Sequence, residues 1–418
     1  MRPRIVIVGA GFGGLAAAKG LAGADAEITL IDRQNHHLFQ PLLYQVATAG
    51  LSPADIAWPV RHLLRRQRNL RVLMAEVTAV KPGRKVVMLA EGPLAYDWLV
   101  LATGATHGYF GRDEWAEHAP GLKTLDDATG IRRRLLLAFE RAEMASNPAT
   151  SARLLTIVIV GGGPTGVELA GAVAELARKA LAKDFREIDP RRTRVLLIEA
   201  GPRLLSNFPE ELSRYTASAL QRLDVEVRLG QAVTHCGARG VQMGSEFIEA
   251  GTIVWAAGVR ASPAAEWLGI EADRAGRVLV APDLSVPGHD NIYVIGDTAL
   301  ARNPDRAQLP GIAPVAKQQG SYVARAILGR IAGRAPLPPF VYRDRGLLAT
   351  IGRKAAVISY KRLRLSGWLA WWLWGAAHIY FLVSLRNRLI VVTQWLWSYL
   401  VFERGARLIT GSDADARR

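Results

Sequence analysis

Two glycine-rich loops, each directly after an apolar stretch, constrain the fold of this chain more than any other feature. The first lies in "IVIVGAGFGG" at residues 5–14 and the second in "IVIVGGGPTGVE" at residues 157–168. Each apolar run predicts a buried parallel strand. Each G-x-G-x-x-G spacing predicts a turn into a helix whose free N–H groups favour phosphate. We therefore expect an α/β fold with two Rossmann-like dinucleotide-binding domains.

The three glycines of each loop are expected to have different roles. The first turns the chain, the second lets the backbone approach a pyrophosphate, and the third lets the helix pack against the strand. The glycines concerned are Gly9, Gly11 and Gly14 in the first loop and Gly161, Gly163 and Gly166 in the second.

An acidic residue ends the strand that follows each loop helix. "EITLID" ends in Asp32 and "VLLIEAG" contains Glu199, and such an acid is expected to bind a ribose hydroxyl of the nucleotide. The charge of Glu199 would repel a 2′-phosphate, which favours NADH over NADPH, although the nearby Arg203 leaves NADPH open. The longer crossover before Glu199 weakens this assignment relative to that of Asp32.

Three further strand ends carry residues suited to a flavin nucleotide. They lie in "YDWLVLATGA", "TIVWAAGV" and "NIYVIGDTA", and each is an apolar strand that breaks at glycine. In the last of these, the carboxylate of Asp297 is suited to the ribityl hydroxyls of a flavin. The residues at these breaks are Ala102, Thr103, Gly104, Gly258, Gly296 and Asp297.

Cys236 is the single cysteine, which excludes an intramolecular disulfide, a redox C-x-x-C pair and a cysteine-ligated iron–sulfur cluster. No metal site is expected either. Redox chemistry therefore requires a bound carrier, and FAD can accept a hydride and release electrons singly or in pairs. We expect FAD to be held tightly by the first loop, while NADH visits the second loop as a substrate.

The formal net charge of +16 predicts an anionic partner. Nucleic acid is not expected, because no recognition helix, zinc spacing or RNA-binding aromatic motif is found. Basic residues instead cluster before two Trp-rich apolar stretches, "GWLAWWLWGAAHIYFLVSL" and "LIVVTQWLWSYLVF", a pattern typical of a surface that faces anionic phospholipid headgroups. The basic residues are Arg343, Arg345, Arg353, Lys354, Lys361, Arg362 and Arg364.

The second apolar stretch is too short to cross a membrane. Residues 389–402 would form a helix of roughly 21 Å, whereas the hydrocarbon core is about 30 Å thick. Asn387, Gln394 and Ser398 recur at helical spacing as a polar stripe, which an in-plane amphipathic helix requires. We expect monotopic docking on the cytoplasmic face of the inner (cell) membrane. A single span of residues 367–385, or burial of both helices in a homodimer interface, remains an alternative.

These features divide the 418 residues into three regions. The FAD-binding domain is expected to be discontinuous, with residues 1–120 and 276–340. The NADH-binding domain is expected at residues 121–275. Residues 341–418 are expected to form a C-terminal membrane-associated helical region that anchors the protein.

Together these motifs resemble the type II NADH:quinone oxidoreductases, the single-chain, non-proton-pumping respiratory NADH dehydrogenases with two dinucleotide-binding domains. The likeness covers nearly the whole chain and includes "NHHLFQPLLYQVATAGLSP", "GPTGVELAG", "IGDTA" and "APVAKQQG". The resemblance implies FAD as the bound cofactor, NADH as the electron donor and a membrane quinone as the acceptor.

The resemblance also implies roles for individual residues. Glu168 matches the family glutamate that lies by the flavin where nicotinamide docks, and its place near a helix start agrees with a tuned proton affinity. The alternative is a solvated glutamate at a helix start. The family quinone motif A-Q-x-A-x-Q runs from Ala313 to Gln318, but Pro314 replaces the first glutamine. Gln318 is therefore expected to hold the quinone head group, with Gln319 beside it.

Other functions remain open at the level of the sequence. The alternatives are an FAD-dependent NADH reductase of a non-quinone acceptor and a flavin- and NADH-binding redox sensor. Sulfide:quinone reductase is set aside, because its redox cysteines have no counterpart in a chain with Cys236 alone. His378, in the first apolar stretch, is a further candidate proton donor, with a packed or interfacial histidine as the alternative.

Overall fold

The computed structural model describes residues 2–305, 307–382, 385–401 and 405–410. Two compact units are present. The first comprises Met1–Leu38, Ala57–Thr106 and Val259–Arg345, and the second comprises Phe39–Ile56, His107–Gly258 and Gly346–Arg418. Each unit therefore contains one of the two glycine-rich loops.

The described residues form twenty-five strands and twelve α-helices. The strands are β1 (Arg4–Val8), β2 (Glu27–Asp32), β3 (His36–Leu38), β4 (Ala57–Pro59), β5 (Leu70–Met74), β6 (Val77–Lys81), β7 (Val86–Leu89), β8 (Gly92–Ala95), β9 (Trp98–Leu101), β10 (Ala105–His107), β11 (Thr156–Val160), β12 (Arg194–Glu199), β13 (Val225–Leu229), β14 (Val233–Gly237), β15 (Gly240–Met243), β16 (Glu246–Glu249), β17 (Thr252–Trp255), β18 (Val259–Ala261), β19 (Val278–Leu279), β20 (Ser285–Val286), β21 (His289–Val294), β22 (Ala299–Leu300), β23 (Leu347–Gly352), β24 (Ala355–Tyr360) and β25 (Leu363–Gly367). The helices are α1 (Phe12–Gly20), α2 (Leu43–Ala47), α3 (Pro53–Ile56), α4 (Val60–Leu63), α5 (Leu125–Glu143), α6 (Pro148–Leu154), α7 (Pro164–Glu175), α8 (Glu210–Gln221), α9 (Ala264–Leu268), α10 (Ala313–Ile331), α11 (Trp368–Phe381) and α12 (Leu385–Val401).

A six-stranded sheet in the order β20-β21-β9-β1-β2-β5 organises the first unit. Its neighbouring strands are parallel except for the β20–β21 pair. Ile5 and Ile7 of β1 pack in one hydrophobic cluster, and Val6 and Val8 pack in another. A run of β-branched residues without alternation is what a parallel strand covered on both faces requires.

Helices α1 and α10 pack closely in the first unit because glycines lie at their contact. A Cβ added to Gly320 would lie 2.1 Å from the carbonyl oxygen of Gly13. A Cβ added to Gly20 would lie 2.6 Å from the Cβ atom of Ala324. This contact places the helix that carries the quinone motif directly against the helix that follows the first loop.

The second unit contains a four-stranded parallel sheet in the order β13-β12-β11-β17. All five residues of β11 are buried. The antiparallel sheet β14-β15-β16 packs against it, since Cys236, Val241 and Ile248 share a hydrophobic cluster with Val158 and Val160. The six-stranded sheet, parallel except for one pair, and this parallel sheet confirm the predicted α/β fold class.

The C-terminal part of the second unit begins with the antiparallel sheet β23-β24-β25. Its first strand packs against α7, and Gly171 permits the contact, because a Cβ there would lie 2.1 Å from the carbonyl oxygen of Ile351. Helices α11 and α12 follow this sheet. Among the described residues, no helix is long and apolar enough to cross a membrane.

Asn387 and Gln394, two residues of the polar stripe expected on α12, are turned toward the protein, whereas an in-plane amphipathic helix would turn its polar stripe toward water. Asn387 is only 3 % exposed, and its side-chain N–H group donates to the carbonyl oxygen of Asp55 at 2.8 Å. The side-chain oxygen of Gln394 is buried as well. The hydrogen bond to α3 therefore holds Asn387 against the protein. The side chain of Ser398 and residue Phe402 lie outside the described residues.

The compact units differ from the three regions expected from the sequence. Val259 and Gly346 begin new segments, where the sequence placed boundaries before residues 276 and 341, and residues 39–56 join the second unit. The C-terminal residues do not form a separate unit, because β23 packs on α7 and α12 contacts α3. The assignment of each region to one nucleotide stays a prediction.

Replacing Gly171 by alanine should destabilise the second unit, because the new Cβ must displace the carbonyl group of Ile351. We expect the free energy of unfolding, measured with denaturant, to fall by about 1–3 kcal/mol. Gly130→Ala in α5 is the matched control, since nothing lies within 4 Å of its added Cβ. Alanine at that exposed position should stabilise the helix by up to about 1 kcal/mol. Equal effects of the two substitutions would contradict the proposed close contact.

Candidate active site

The first glycine-rich loop joins β1 to α1 in a conformation that requires glycine. Gly9 has a φ angle of +99°, and a Cβ there would lie 2.3 Å from the carbonyl oxygen of Ala102. A Cβ on Gly14 would lie 1.7 Å from the carbonyl oxygen of Gly9. Gly11 differs from both, because nothing lies within 4 Å of its Cβ position. Space is therefore left open at the N-terminus of α1.

The second loop, between β11 and α7, repeats this geometry. Gly161 has a φ angle of +113°, and a Cβ on Gly166 would lie 1.8 Å from the carbonyl oxygen of Gly161. Nothing lies within 4 Å of the Cβ position of Gly163. Gly163 is the N-cap of α7, as Gly11 is the N-cap of α1. An open helix N-terminus of this kind is suited to phosphate, because its N–H groups lack intrahelical partners.

Asp32 and Glu199 hold the two loops by equivalent hydrogen bonds. The Asp32 carboxylate accepts from the N–H group of Ala10 at 2.6 Å and from the N–H group of Gln34 at 2.7 Å. The Glu199 carboxylate accepts from the N–H group of Gly162 at 2.6 Å and from the N–H group of Gly201 at 2.7 Å. Each carboxylate oxygen keeps a further lone pair that a ribose hydroxyl can use.

The long crossover before Glu199 does not displace this residue from the position that Asp32 takes in the first unit. The additional residues form a π-helical turn at Leu176–Ala180 and a 3₁₀ turn at Pro190–Arg192 before β12 begins. The guanidinium group of Arg203 donates to the carbonyl oxygens of Ser206 and Phe208, at 2.6 and 3.0 Å. Arg203 is therefore engaged with the main chain of its own loop, which favours NADH.

A cluster of three hydroxyl groups supports the loop after β9. The Thr103 Oγ1 atom lies 2.5 Å from the Ser262 Oγ atom and 3.2 Å from the Thr298 Oγ1 atom. Thr298 also donates to the carbonyl oxygen of Gly104 at 2.9 Å. Sequence reasoning missed Ser262 and Thr298. Thr298 directly follows the Gly-Asp pair and could have been included, whereas Ser262 has no motif around it.

Gly296 and Gln319 are joined directly. Gly296 has a φ angle of +73°, and its N–H group donates to the side-chain oxygen of Gln319 at 2.7 Å. Gln319 is 1 % exposed. The neighbouring Asp297 is partly exposed. The structure therefore connects Gln319, which the sequence placed beside the quinone, to the Gly-Asp pair that the sequence placed beside the flavin.

Gln318 is held by the main chain of Arg343. Its Nε2 atom donates to the Arg343 carbonyl oxygen at 2.9 Å, and its Oε1 atom accepts from the Arg343 N–H group at 3.0 Å. The side chain remains partly exposed. Pro314 lies in the first turn of α10, where a residue without an N–H group is tolerated because that group has no intrahelical acceptor.

Gly258 lies after β17 in the second unit, in a position too narrow for a side chain. A Cβ there would lie 2.8 Å from the carbonyl oxygen of Gly108 and 2.9 Å from the ring of Phe110. The carbonyl oxygen of Gly258 accepts from the N–H group of Gly108 at 3.2 Å. This glycine is therefore required by packing within the second unit.

Glu168 is buried on α7, which excludes the solvated helix-start alternative. Glu168 is 9 % exposed, and its Oε1 atom accepts from the N–H group of Thr350 at 3.3 Å. Burial raises the pKa of Glu168 to about 8, and the hydrogen bond from Thr350 opposes the rise. The proton affinity is therefore tuned by desolvation through β23, a contact that no local sequence signal reveals.

His378 is a packed histidine, which agrees with the alternative to a proton donor given from the sequence. Its Nδ1 atom donates to the carbonyl oxygen of Trp374 at 2.7 Å, and the two rings lie 4.2 Å apart between centroids. Burial lowers the pKa of His378 to about 4, so the ring is neutral near pH 7. With its proton on Nδ1, the Nε2 atom presents a lone pair, which accepts a proton.

The two loops fit dinucleotides. In each loop, the first and third glycines have no room for a side chain. The second glycine, at the helix N-terminus, has open space at its Cβ position. An acid at the end of the following strand lies beside the loop, where a ribose is held in Rossmann folds. The residues present can therefore hold one pyrophosphate in each unit.

Similarity to known proteins covers the whole chain. Residues 3–320 match the family described as "Pyridine nucleotide-disulphide oxidoreductase", and residues 345–404 match the "NDH2 C-terminal domain". The chain is 44 % identical over 431 residues to "Type II NADH:quinone oxidoreductase Ndh" of Mycobacterium tuberculosis, with 100 % of this chain and 92 % of the relative covered. The chain belongs to the type II NADH:quinone oxidoreductase family. A relative of that name from Staphylococcus haemolyticus is 30 % identical, with 84 % and 88 % covered.

Solved structures support the fold. The chain matches "NDH2 from plasmodium falciparum in complex with NADH" with a TM-score of 0.89 at 21 % identity, covering 98 % of this chain and 100 % of that one. It also matches the sulfide:quinone oxidoreductase of Aquifex aeolicus with a TM-score of 0.69 at 20 % identity, covering 92 % of each. Cys236 is the single cysteine of the chain and is buried, so no cysteine pair exists here. The predicted family and fold are confirmed.

The raised pKa of Glu168 predicts a loss of stability as pH rises. Below about pH 4.5 the carboxyl group is protonated in both the folded and unfolded states, whereas between 4.5 and about 8 only the folded state keeps the proton. The free energy of unfolding should therefore fall across this window, by up to about 1.4 kcal/mol per pH unit, and level off above it. Glu168→Gln should remove this component of the pH profile, measured by denaturant unfolding of the FAD-loaded protein.

Glu140→Gln is the matched control for Glu168→Gln, because Glu140 is exposed on α5. Its pH profile should follow that of the unsubstituted protein. If Glu168→Gln also followed that profile, the buried carboxyl group would not hold a proton at neutral pH.

Proposed function

We propose that the protein is a respiratory NADH dehydrogenase that transfers a hydride from NADH to bound FAD and then two electrons to a membrane quinone, without pumping protons. The pair of equivalent phosphate-binding loops carries this proposal, because a chain that binds one dinucleotide needs only one. The names of the relatives from Mycobacterium tuberculosis and Staphylococcus haemolyticus state the same electron donor and class of acceptor.

FAD is assigned to the first unit and NADH to the second. The position of Asp297 in the first unit supports FAD, since its carboxylate is partly exposed beside Gly296. The charge of Glu199 in the second unit supports NADH, whose 2′-hydroxyl it can bind. When bound, FAD supplies chemistry that the side chains lack, namely hydride acceptance and electron release to a second acceptor. The chain binds and orients the two nucleotides.

A proton balance gives Glu168 a role. Reduction of a quinone to a quinol takes up two electrons and two protons, whereas a hydride from NADH supplies two electrons and one proton. One further proton per turnover therefore comes from solvent. We assign its storage to Glu168, whose buried carboxyl group is protonated near pH 7. The N–H group of Thr350 orients this carboxyl group by binding its Oε1 atom.

Gln318 is assigned to the quinone head group. The two hydrogen bonds to Arg343 fix the orientation of its amide and use only one of the two hydrogens on Nε2. The second hydrogen can donate to a quinone carbonyl without placing a charge near an apolar ring. Gln319 is assigned an auxiliary part, because its side-chain oxygen already accepts from Gly296.

The C-terminal helices are assigned to an anionic phospholipid surface. Large apolar residues of α11 and α12 are between 39 % and 69 % exposed, and they recur at helical spacing. Lys354, Lys361 and Arg362 are exposed in the turns that precede α11. NADH is a cytoplasmic metabolite, so the cytoplasmic face of the inner membrane is the proposed site of docking. The exposed apolar residues are Trp368, Leu369, Trp372, Leu373, Tyr380, Phe381, Leu389, Val392, Leu396 and Trp397.

Stopped-flow absorbance tests the activity. We expect NADH to bleach the flavin of the purified protein rapidly, NADPH to bleach it more slowly, and a short-chain quinone to restore the colour. Gln318→Ala should slow recovery by about tenfold, the effect of losing a hydrogen bond worth about 1.4 kcal/mol, and leave bleaching by NADH unchanged.

Ser321→Ala is the matched control for the quinone step, because Ser321 is exposed one turn along the same helix. It should behave like the unsubstituted protein in both steps. Bleaching without recovery on quinone would remove the proposed acceptor, and slower bleaching in Gln318→Ala would remove the proposed role of Gln318.

Binding to lipid vesicles tests the membrane surface. The protein should co-sediment with vesicles that contain phosphatidylglycerol, and binding should weaken in vesicles of phosphatidylcholine alone because headgroup charge attracts the basic turns. Replacing Trp372 and Trp397 together by serine should weaken binding by about tenfold or more, since each loses apolar area that would insert at the interface.

Phe247→Ser is the control, because Phe247 is 47 % exposed on β16, outside the C-terminal helices. It should not change vesicle binding. If the double tryptophan variant instead bound vesicles normally and lost a dimer seen by sedimentation, the exposed surface would be an interface between two copies of the chain.

A further inference from the structure

Ala10, the middle residue between Gly9 and Gly11 of the first glycine-rich loop, is hydrogen-bonded through both its N–H group and its carbonyl group. The N–H group of Ala10 donates to the Asp32 carboxylate at 2.6 Å, and its carbonyl oxygen lies 2.8 Å from the Nδ1 atom of His37. A carbonyl oxygen can only accept, so the Nδ1 atom carries the proton and donates it. The ring of His37 therefore closes one side of the loop.

The second loop makes the equivalent contact with the main chain. There, the N–H group of Gly162 donates to Glu199 at 2.6 Å, and the carbonyl oxygen of Gly162 accepts from the N–H group of Leu205 at 2.8 Å. The two loops thus match in the hydrogen bonds of their middle residues, except for the donor to the carbonyl group. A titratable ring fills that place in the first unit, where the second unit uses a backbone group that does not titrate.

His37 also contacts the residue on the other side of Gly11. Its ring lies edge-on to the ring of Phe12, with 5.1 Å between centroids, and Phe12 is the first residue of α1. His37 is 2 % exposed and is paired with Trp58 across the β3–β4 ladder, which fixes the direction of its side chain. The two ring contacts therefore flank Gly11, the position with open space for a phosphate.

We propose that His37 is a positioning residue for FAD, whose buried neutral ring holds the first loop in the shape that receives the pyrophosphate. Acid then favours an opened loop, in which the ring is exposed and protonated, and so speeds loss of FAD. The inference rests on the proposed function in one respect, the assignment of FAD to the first loop. It goes beyond that function because it makes retention of the cofactor depend on pH through one side chain.

The surroundings of the ring oppose its protonation while the loop is closed. Burial lowers the pKa of His37 to about 4, the hydrogen bond to Ala10 opposes this, and the charges of Lys19 on α1 and of His36 on the same strand lower it further. The residues of β4 carry no titratable group. The carboxylate of Asp32 is occupied by the loop N–H group and by the N–H group of Gln34.

The sign of the pH dependence follows from these states. In the closed loop His37 stays neutral down to about pH 4, whereas in an opened loop the ring regains its ordinary pKa of 6.5. Above pH 6.5 neither state binds the proton, so the closed loop keeps its full advantage. Between 6.5 and 4 only the opened state is protonated, so opening becomes more favourable by up to about tenfold per pH unit.

Release of FAD from the holoenzyme tests this proposal. Free FAD fluoresces more strongly than FAD held against protein, so dilution into buffers from about pH 7.5 to pH 5 gives a dissociation rate at each pH. For the unsubstituted protein the rate should be constant above pH 6.5 and rise by up to about tenfold per pH unit below it. His37→Ala should release FAD about tenfold faster at pH 7.5, since one hydrogen bond is lost.

His37→Asn separates the hydrogen bond from the titration. The asparagine amide can donate to the carbonyl oxygen of Ala10 but does not ionise, so FAD should be retained at pH 7.5 and the rise below pH 6.5 should disappear. His36→Asn is the matched control, because the His36 ring contacts Asn35 and not the loop. It should keep the rise below pH 6.5, because the charge of His36 is the smallest of the contributions that set the pKa of His37.

Two results would overturn the proposal: an acid-induced rise in His37→Asn equal to that of the unsubstituted protein, or unchanged FAD retention in His37→Ala. If His37→Ala does not fold, as judged by circular dichroism, the comparison of His37→Asn with His36→Asn decides. Failure of the part of the proposed function on which this inference rests, the binding of FAD, is recognised separately, because the purified protein would then lack the flavin absorbance band before any dilution.

Discussion

The hydrogen bond from the middle of each glycine-rich loop to the carboxylate at the next strand end is the interaction on which both nucleotide sites depend. It fixes the loop against the sheet, because Asp32 and Glu199 each hold the middle N–H group at 2.6 Å. Next to this hydrogen bond, Gly14 lies against the carbonyl group of Gly9, and Gly166 lies against that of Gly161. This close approach sets where each helix begins. The open helix N-terminus and the acid that we propose to bind ribose both take their positions from this arrangement.

Packing of the C-terminal sheet gives the second unit its buried acid. Glu168 and Glu175 lie two turns apart on α7, and each accepts an N–H group from the edge of the C-terminal sheet, from Thr350 at 3.3 Å and from Arg353 at 2.6 Å. Gly171 lies between them and lets the strand approach. Without that strand, Glu168 would face water and ionise near its ordinary pKa. The C-terminal sheet thus sets the surroundings of Glu168 and also precedes the two apolar helices along the chain.

The parts of the site that the sequence predicts are those fixed by local backbone geometry. Gly9, Gly14 and Asp32 are recognisable because the turn, the close approach and the strand-end acid follow at set intervals. The local sequence around a residue does not reveal which distant segment of the chain covers it. The burial of Glu168 by Thr350, and the engagement of Gln318 by Arg343, depend on contacts across many residues and carry no local signal.

The orientation of α12 is another feature that the local sequence pattern does not determine. A helical polar stripe predicts which residues share a face, but it does not say whether that face meets water or unsatisfied carbonyl groups. Here Asn387 donates to Asp55 inside the second unit, and the apolar side, with Leu396 57 % and Trp397 60 % exposed, points outward. In water such a surface is unfavourable, whereas at a lipid interface its tryptophans are stabilised. The inward position of Asn387 therefore supports the proposed membrane surface, because the large apolar residues of the helix remain exposed on its other side.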